Sequence, residues 1–131
     1  MRIFVDASAL IALKIPTEPK HINATKFLKN HLESEYFYNN LVYCEVLTVI
    51  SQRFGLTYAK SFKEYFNSIG LTKLYTDSNE ITLAEKILFS QKSKSLSFFD
   101  CVYVSLVKSN RLDGIFTYDT DFNKLSVNVL G

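Results

Sequence analysis

The hydrophobic pattern of this chain switches repeatedly between two periods. Short runs with little polar interruption, RIFV at 2–5 and IFTY at 115–118, have the length and composition of buried strands. EYFYNN at 35–40 and TKLY at 72–75 read as two further strands, the first ending in turn residues. Longer stretches lie between them, with side chains recurring three and four apart, the spacing of one helix face. ASALIALK is a helix that stops near Pro16, where the ring and the missing N–H end it. Residues 18–32 set Ile22, Thr25, Leu28 and Leu32 at helical spacing, and 41–54 is a mostly apolar helix halted by Gly55. Residues 57–70 align Tyr58, Phe62, Tyr65, Phe66 and Ile69 on one face, expected to be core or dimer interface. Asp77 and Glu80 have capping-box spacing and open a helix over 77–91. A polar link at 92–97 leads to another apolar helix at 98–111. A short helix over DTDFNKL and an edge strand at VNVL close the chain.

Strands alternating with helices predict an α/β fold, a parallel sheet covered on both faces. Right-handed crossovers then place every strand's carboxyl end at one edge of the sheet, where ligands collect. Asp6 follows the first strand and Asp119 the fourth, so both belong at that edge. Asp113 precedes the fourth strand and belongs at the opposite one. Asp77 follows the third strand but has sufficient work as a helix cap.

Composition narrows the picture. At 131 residues and 47% hydrophobic content, the chain reads as a single domain spanning 1–131 with one core. A net charge of +2 is not that of a protein that binds nucleic acid by charge alone. Cys44 and Cys101 form no disulfide framework or metal spacing, and each is expected as a small, buried, reduced core residue. No stretch approaches a membrane span and no leader pattern opens the chain, so a soluble, cytoplasmic protein is expected. With 4 Gly there is little material for a phosphate-cradling loop. His21 and His31 are isolated and expected on the surface of the second helix.

The chemistry therefore rests on carboxylates, each of which has an ordinary structural reading. Asp6 can be an N-cap. Glu45, with Thr48 and Gln52, makes a narrow polar stripe that is either solvated or faces a polar cleft. Ser97 and Asp100 have capping-box spacing. Asp119 and Asp121 can cap and charge the short helix after the fourth strand. Yet no Lys or Arg lies within three residues of Asp6, Glu45 or Asp100. Carboxylates that share an edge without compensation repel unless protonated or bound to a cation, and all-oxygen donors suit Mg²⁺ or Mn²⁺. Lys14, Arg53, Lys92 and Lys94 are the candidates for binding an anionic substrate around such a cleft, set against an ordinary solvated surface.

Four segments together resemble the PIN-domain ribonucleases, in particular the VapC-type toxins of toxin–antitoxin systems. FVDASALIAL is similar to the family's first strand and acid, matching Asp6 and the neighbouring Ser8. CEVLTVISQRFG matches Glu45 as the mid-helix acid and Arg53 as the basic residue near the helix end. LSFFDCVYVSLV matches Asp100, with Cys101 where a small Ala is more usual. FTYDTDF is similar to the T-x-D-x-D-F pattern, matching Asp119 and an auxiliary Asp121. The resemblance covers essentially the whole chain.

It implies a PIN-like three-layer fold with about five parallel strands. It also implies an Mg²⁺- or Mn²⁺-dependent endoribonuclease that leaves a 5′-phosphate and a 3′-hydroxyl, an antitoxin partner and a homodimer. Asp6, Glu45, Asp100 and Asp119 are then the expected catalytic and metal-holding set. Asp121, Ser8 and Thr117 would support them. Two readings compete: a PIN-like module that binds RNA or protein without cutting, and a PIN nuclease acting in RNA processing. A receiver-type signalling domain would need an acid pair after the first strand, where only Asp6 stands.

Overall fold

A computed structural model describes residues 1–92 and 96–131. Five strands form one parallel sheet: β1 (Arg2–Val5), β2 (Glu35–Tyr38), β3 (Thr72–Lys73), β4 (Gly114–Phe116) and β5 (Val129–Leu130). Their order is β3-β2-β1-β4-β5, with every neighbouring pair parallel. β1 is central and wholly apolar after Arg2, because a parallel strand is buried on both faces. Its register sets Val5 opposite Phe116, so β1 and β4 end level with each other.

Six helices make the crossovers: α1 (Ala7–Lys14), α2 (His21–Asn30), α3 (Asn40–Phe54), α4 (Leu56–Ser68), α5 (Ser78–Ser90) and α6 (Phe98–Ser109). α1 packs on α2 and α3, α3 on α4, and α5 on α6. With right-handed crossovers these are two helical layers around the sheet. The expected architecture stands, and only element ends differ. The helix at 18–32 shortens to α2, the third strand keeps only Thr72–Lys73, and DTDFNKL folds as a 3₁₀ helix at Thr120–Lys124.

The core runs from Ile3, Phe4 and Val5 to Val102, Tyr103 and Leu106 on α6 and Phe62 on α4, each essentially without exposure. The face of α4 is mainly core, as Phe62 and Phe66 are buried while Tyr58 stays exposed. Two expectations fail. Cys44 is exposed, because α3 turns it outward between buried Val42 and Val46, whereas Cys101 is buried as expected. His21 and His31 are half-buried, their Nδ1 atoms bonded to the carbonyls of Ala12 and Phe27, so they help dock α2 and end it.

β5 closes the sheet at a point that tolerates no side chain. A Cβ on Gly114 would lie 2.5 Å from the backbone oxygen of Asn128, which accepts the Ile115 N–H in the β4–β5 ladder. Among the described residues, no helix is long and apolar enough to cross a membrane.

Candidate active site

Strand and helix polarity together bring four acids to one edge. Asp6 directly follows β1, and its N–H donates to the Phe116 carbonyl, extending the β1–β4 ladder by one step. Asp119 lies three residues beyond β4. α3 begins two residues after β2, so its early turns, with Glu45, lie at the same edge. α6 runs the other way along the chain: its last residues lead through Leu112 and Asp113 to the start of β4. Its first turn, with Asp100, therefore returns to the edge where the strands end. Asp113 marks the opposite edge, where Asp113 Oδ2 accepts the Arg2 N–H at 2.6 Å.

Asp6 is 4% exposed. Both Ser8 Oγ (2.9 Å) and Thr117 Oγ1 (2.8 Å) donate to the same oxygen, Asp6 Oδ2, so Oδ1 is not held by either hydroxyl. Ser8 Oγ accepts the Tyr118 N–H and Thr117 Oγ1 the Asp119 N–H, each at 3.0 Å. The two hydroxyls thus tie the end of β1 to the loop after β4. Although Asp6 occupies the N-cap position of α1, its side chain makes no capping bond. Burial raises its pKa, against the opposing pull of Thr117 and Ser8.

Asp100 and Asp119 do carry their structural roles. Ser97 and Asp100 form a reciprocal capping box on α6, and Asp119 caps the 3₁₀ helix through the Asp121 N–H. Asp121 pairs with Lys124 at 3.0 Å, outside the group of four. Burial raises the pKa of Asp100, assisted by the charges of Asp6 and Asp119. Glu45 is pushed up to about 7, first by burial and then by the charges of Asp6, Asp100 and Asp119. Asp6 and Asp119 lie close enough to Glu45 and Asp100 for their charges to oppose the ionisation of those two groups.

Neither salt bridge among the described residues involves any of the four. No three acidic, histidine or cysteine side chains among the described residues converge at metal-ligand distance. Asp100 Oδ2 is turned to the Ser97 N–H and Asp119 Oδ1 to the Asp121 N–H. The donors fit a hard divalent cation by type and charge: they are all carboxylate oxygens, without an ion-pair partner among the described residues.

Comparison with known families matches residues 3–128 to the PIN domain. The chain belongs to the PIN domain family. No curated protein sequence matches it significantly. Among solved structures, it is similar to Mycobacterium tuberculosis VapC20, a sarcin-ricin loop cleaving toxin, with TM-score 0.85, 19% identity and 96% of each chain covered. It is also similar to a chain of VapBC2 from Rickettsia felis bound to a promoter DNA fragment, with TM-score 0.74, 11% identity, and 99% of this chain and 98% of that one covered. FitAcB from Neisseria gonorrhoeae gives TM-score 0.72, 14% identity, and 98% and 96% coverage. At these identities the likeness is one of fold.

This PIN domain does not bring every expected residue to the acid edge. Lys14 ends the eight-residue α1 and Arg53 lies in the last turn of α3, so helix length carries both away from it. Lys14 Nζ donates to Ser61 Oγ at 2.6 Å, and Arg53 pairs with Glu18 at 2.6 Å. Lys92 is exposed, next to Gln91, whose side chain bonds the backbone oxygen of Leu96. Lys94 lies outside the described residues. The expected stripe on α3 splits, with Glu45 half-buried while Thr48 and Gln52 face water.

One residue of this PIN domain escaped the sequence reading. Tyr103 is fully buried against Phe4, and its hydroxyl donates to Glu45 Oε2 at 3.4 Å. Burial and the charges of Glu45 and Asp6 raise its pKa, which keeps it a donor. The signal was its place three residues after Asp100, on the same face of α6.

Proposed function

We propose that this PIN domain is an Mg²⁺- or Mn²⁺-dependent endoribonuclease acting as the toxin of a toxin–antitoxin pair. The observation that carries the reading is the gathering of Asp6, Glu45, Asp100 and Asp119 at one sheet edge with no cationic side chain paired to them among the described residues. Such a group is poorly suited to binding an RNA phosphate unaided and well suited to binding it with a divalent cation. Asp6 and Asp100 would be the principal holders of the cation, completed by Asp119 and Glu45. When bound, the cation would neutralise the scissile phosphate, make water more acidic and stabilise the leaving oxygen.

The chain's own residues have separate tasks. Ser8 and Thr117 fix Asp6 through Oδ2, and Oδ1 would be the oxygen left for the cation. Tyr103 orients Glu45 through Oε2, and Glu45 is placed to take a proton from attacking water. Asp121 holds the turn that presents Asp119. Lys92, exposed in the segment before α6, would meet substrate phosphate. The toxin assignment draws on the fold shared with VapC20 and the VapBC2 assembly, and extends to an antitoxin partner and a homodimer.

The test is cleavage of a mixed RNA pool by purified full-length protein in Mg²⁺, in Mn²⁺ and in EDTA. Cuts that need the cation and vanish in Asp6→Asn and Asp100→Asn support the reading. Cuts that persist in EDTA and in both variants would exclude it. Folded protein that binds RNA and never cuts would favour the binding module.

A further inference from the structure

A groove of about 290 Å³ opens beside the acid edge, lined by Leu41, Cys44, Glu45, Thr48, Val49 and Phe99. It borders the site at Glu45, which forms part of its wall, and Phe99 directly precedes Asp100 on α6. Phe99 is 52% exposed. Leu41 and Val49 supply aliphatic surface, and among the described residues the lining contains no Lys or Arg. A phosphate would meet Glu45 there without compensation, whereas an uncharged planar ring would meet an aromatic face and two branched side chains. The volume is at the low end for a ligand pocket and too small to seat a helix about 10 Å across. It has room for one flat ring.

We propose that this groove is a base subsite, in which Phe99 stacks the unpaired nucleobase next to the scissile phosphate. Aromatic side chains hold single-stranded RNA this way because every base has a π-face. Phe99 would thus tie the phosphate's position at the carboxylates to an unstacked strand and would exclude duplex RNA from productive binding. The proposal rests on the nuclease reading.

The protein carries its own reporter for the test. Cys44 is exposed and lines the groove, while Cys101 is buried. Alkylation of Cys44 by N-ethylmaleimide is followed by mass spectrometry in the full-length protein, with and without a single-stranded RNA oligonucleotide, in Ca²⁺ in place of Mg²⁺ or Mn²⁺, and the oligonucleotide is checked by gel electrophoresis to be intact at the end. Oligonucleotide binding is followed in parallel by fluorescence anisotropy. The oligonucleotide is expected to slow Cys44 alkylation about 10-fold in the wild type and in Phe99→Trp. Phe99→Ala should lose that protection and weaken binding about 10-fold, within the range of base–aromatic stacking. Its RNA cleavage should fall mainly through KM.

Bound oligonucleotide with unchanged Cys44 alkylation would overturn the subsite while leaving the nuclease reading intact. Protection that appears without oligonucleotide and grows with protein concentration would make the groove a contact between copies, which also overturns it. A wild type that neither binds oligonucleotide nor cuts RNA would bring down both readings.

Discussion

Asp6 shows what two hydroxyls can do for a buried carboxylate. Bonds from Ser8 and Thr117 to one oxygen offset part of the burial cost and leave the other oxygen without a hydroxyl donor. Thr117→Val should remove the buried donor and cost about 1.5–3 kcal/mol, the range for a hydrogen bond to a charged group. The urea midpoint would report it, and cleavage should fall at the same time. A stable, fully active Thr117→Val would detach the hydroxyl from the site. The sequence marked Asp6, Ser8 and Thr117 but could not show that both hydroxyls meet one oxygen, because the Thr117 bond to Asp6 spans 111 residues. It also could not place Lys14 or Arg53, whose destinations depend on where α1 and α3 end.

At the scale of elements, two acids have two employments. Asp100 closes the capping box of α6 and also faces the other carboxylates. The two roles separate by mutation. Ser97→Ala removes the cap and should cost about 1 kcal/mol by chemical denaturation while leaving cleavage largely in place. Asp100→Asn keeps most of the cap's hydrogen bonding and should abolish cleavage with the fold intact. The reverse pattern would reduce Asp100 to a cap. Gly114→Ala should force the β4–β5 ladder apart against a backbone oxygen and cost about 1–3 kcal/mol, visible as a lowered urea midpoint. Normal stability would mean that β5 yields without loss.

Most elements were legible in the sequence, because strand runs and helical spacing differ in period. The 3₁₀ geometry of the short helix at Thr120–Lys124 and the shortening of the third strand were not, since pairing and local capping decide such details. Glu45 and Asp100 could be set at the acid edge only through helix polarity, once α6 was known to lead directly into β4. Tyr103 was hidden for a different reason: a tyrosine in an apolar helix reads as core, and it is core as well as a donor.

For the whole molecule, the acid edge makes folding depend on protons. Glu45 has its pKa raised from 4.5 to about 7, and Asp6 and Asp100 are raised too. The folded protein therefore binds more protons than the unfolded chain as pH rises from 4.5 towards about 7. Where the native state binds more protons, stability falls with rising pH. In EDTA, this part of the melting temperature should decline across that window, and Glu45→Gln should flatten the decline. Added Mn²⁺ should restore stability most at the upper end, where the carboxylates are ionised. A melting temperature independent of pH and cation would contradict the electrostatic account.

The most direct test of the central claim is Mn²⁺ binding to the purified full-length protein, measured by calorimetry with Mg²⁺ as competitor, beside Asp6→Asn and Asp100→Asn. The account predicts saturable binding in the wild type, displacement by Mg²⁺, and loss of binding in both variants with unchanged circular dichroism. Equal binding in all three proteins, or no binding in the folded wild type, would contradict it.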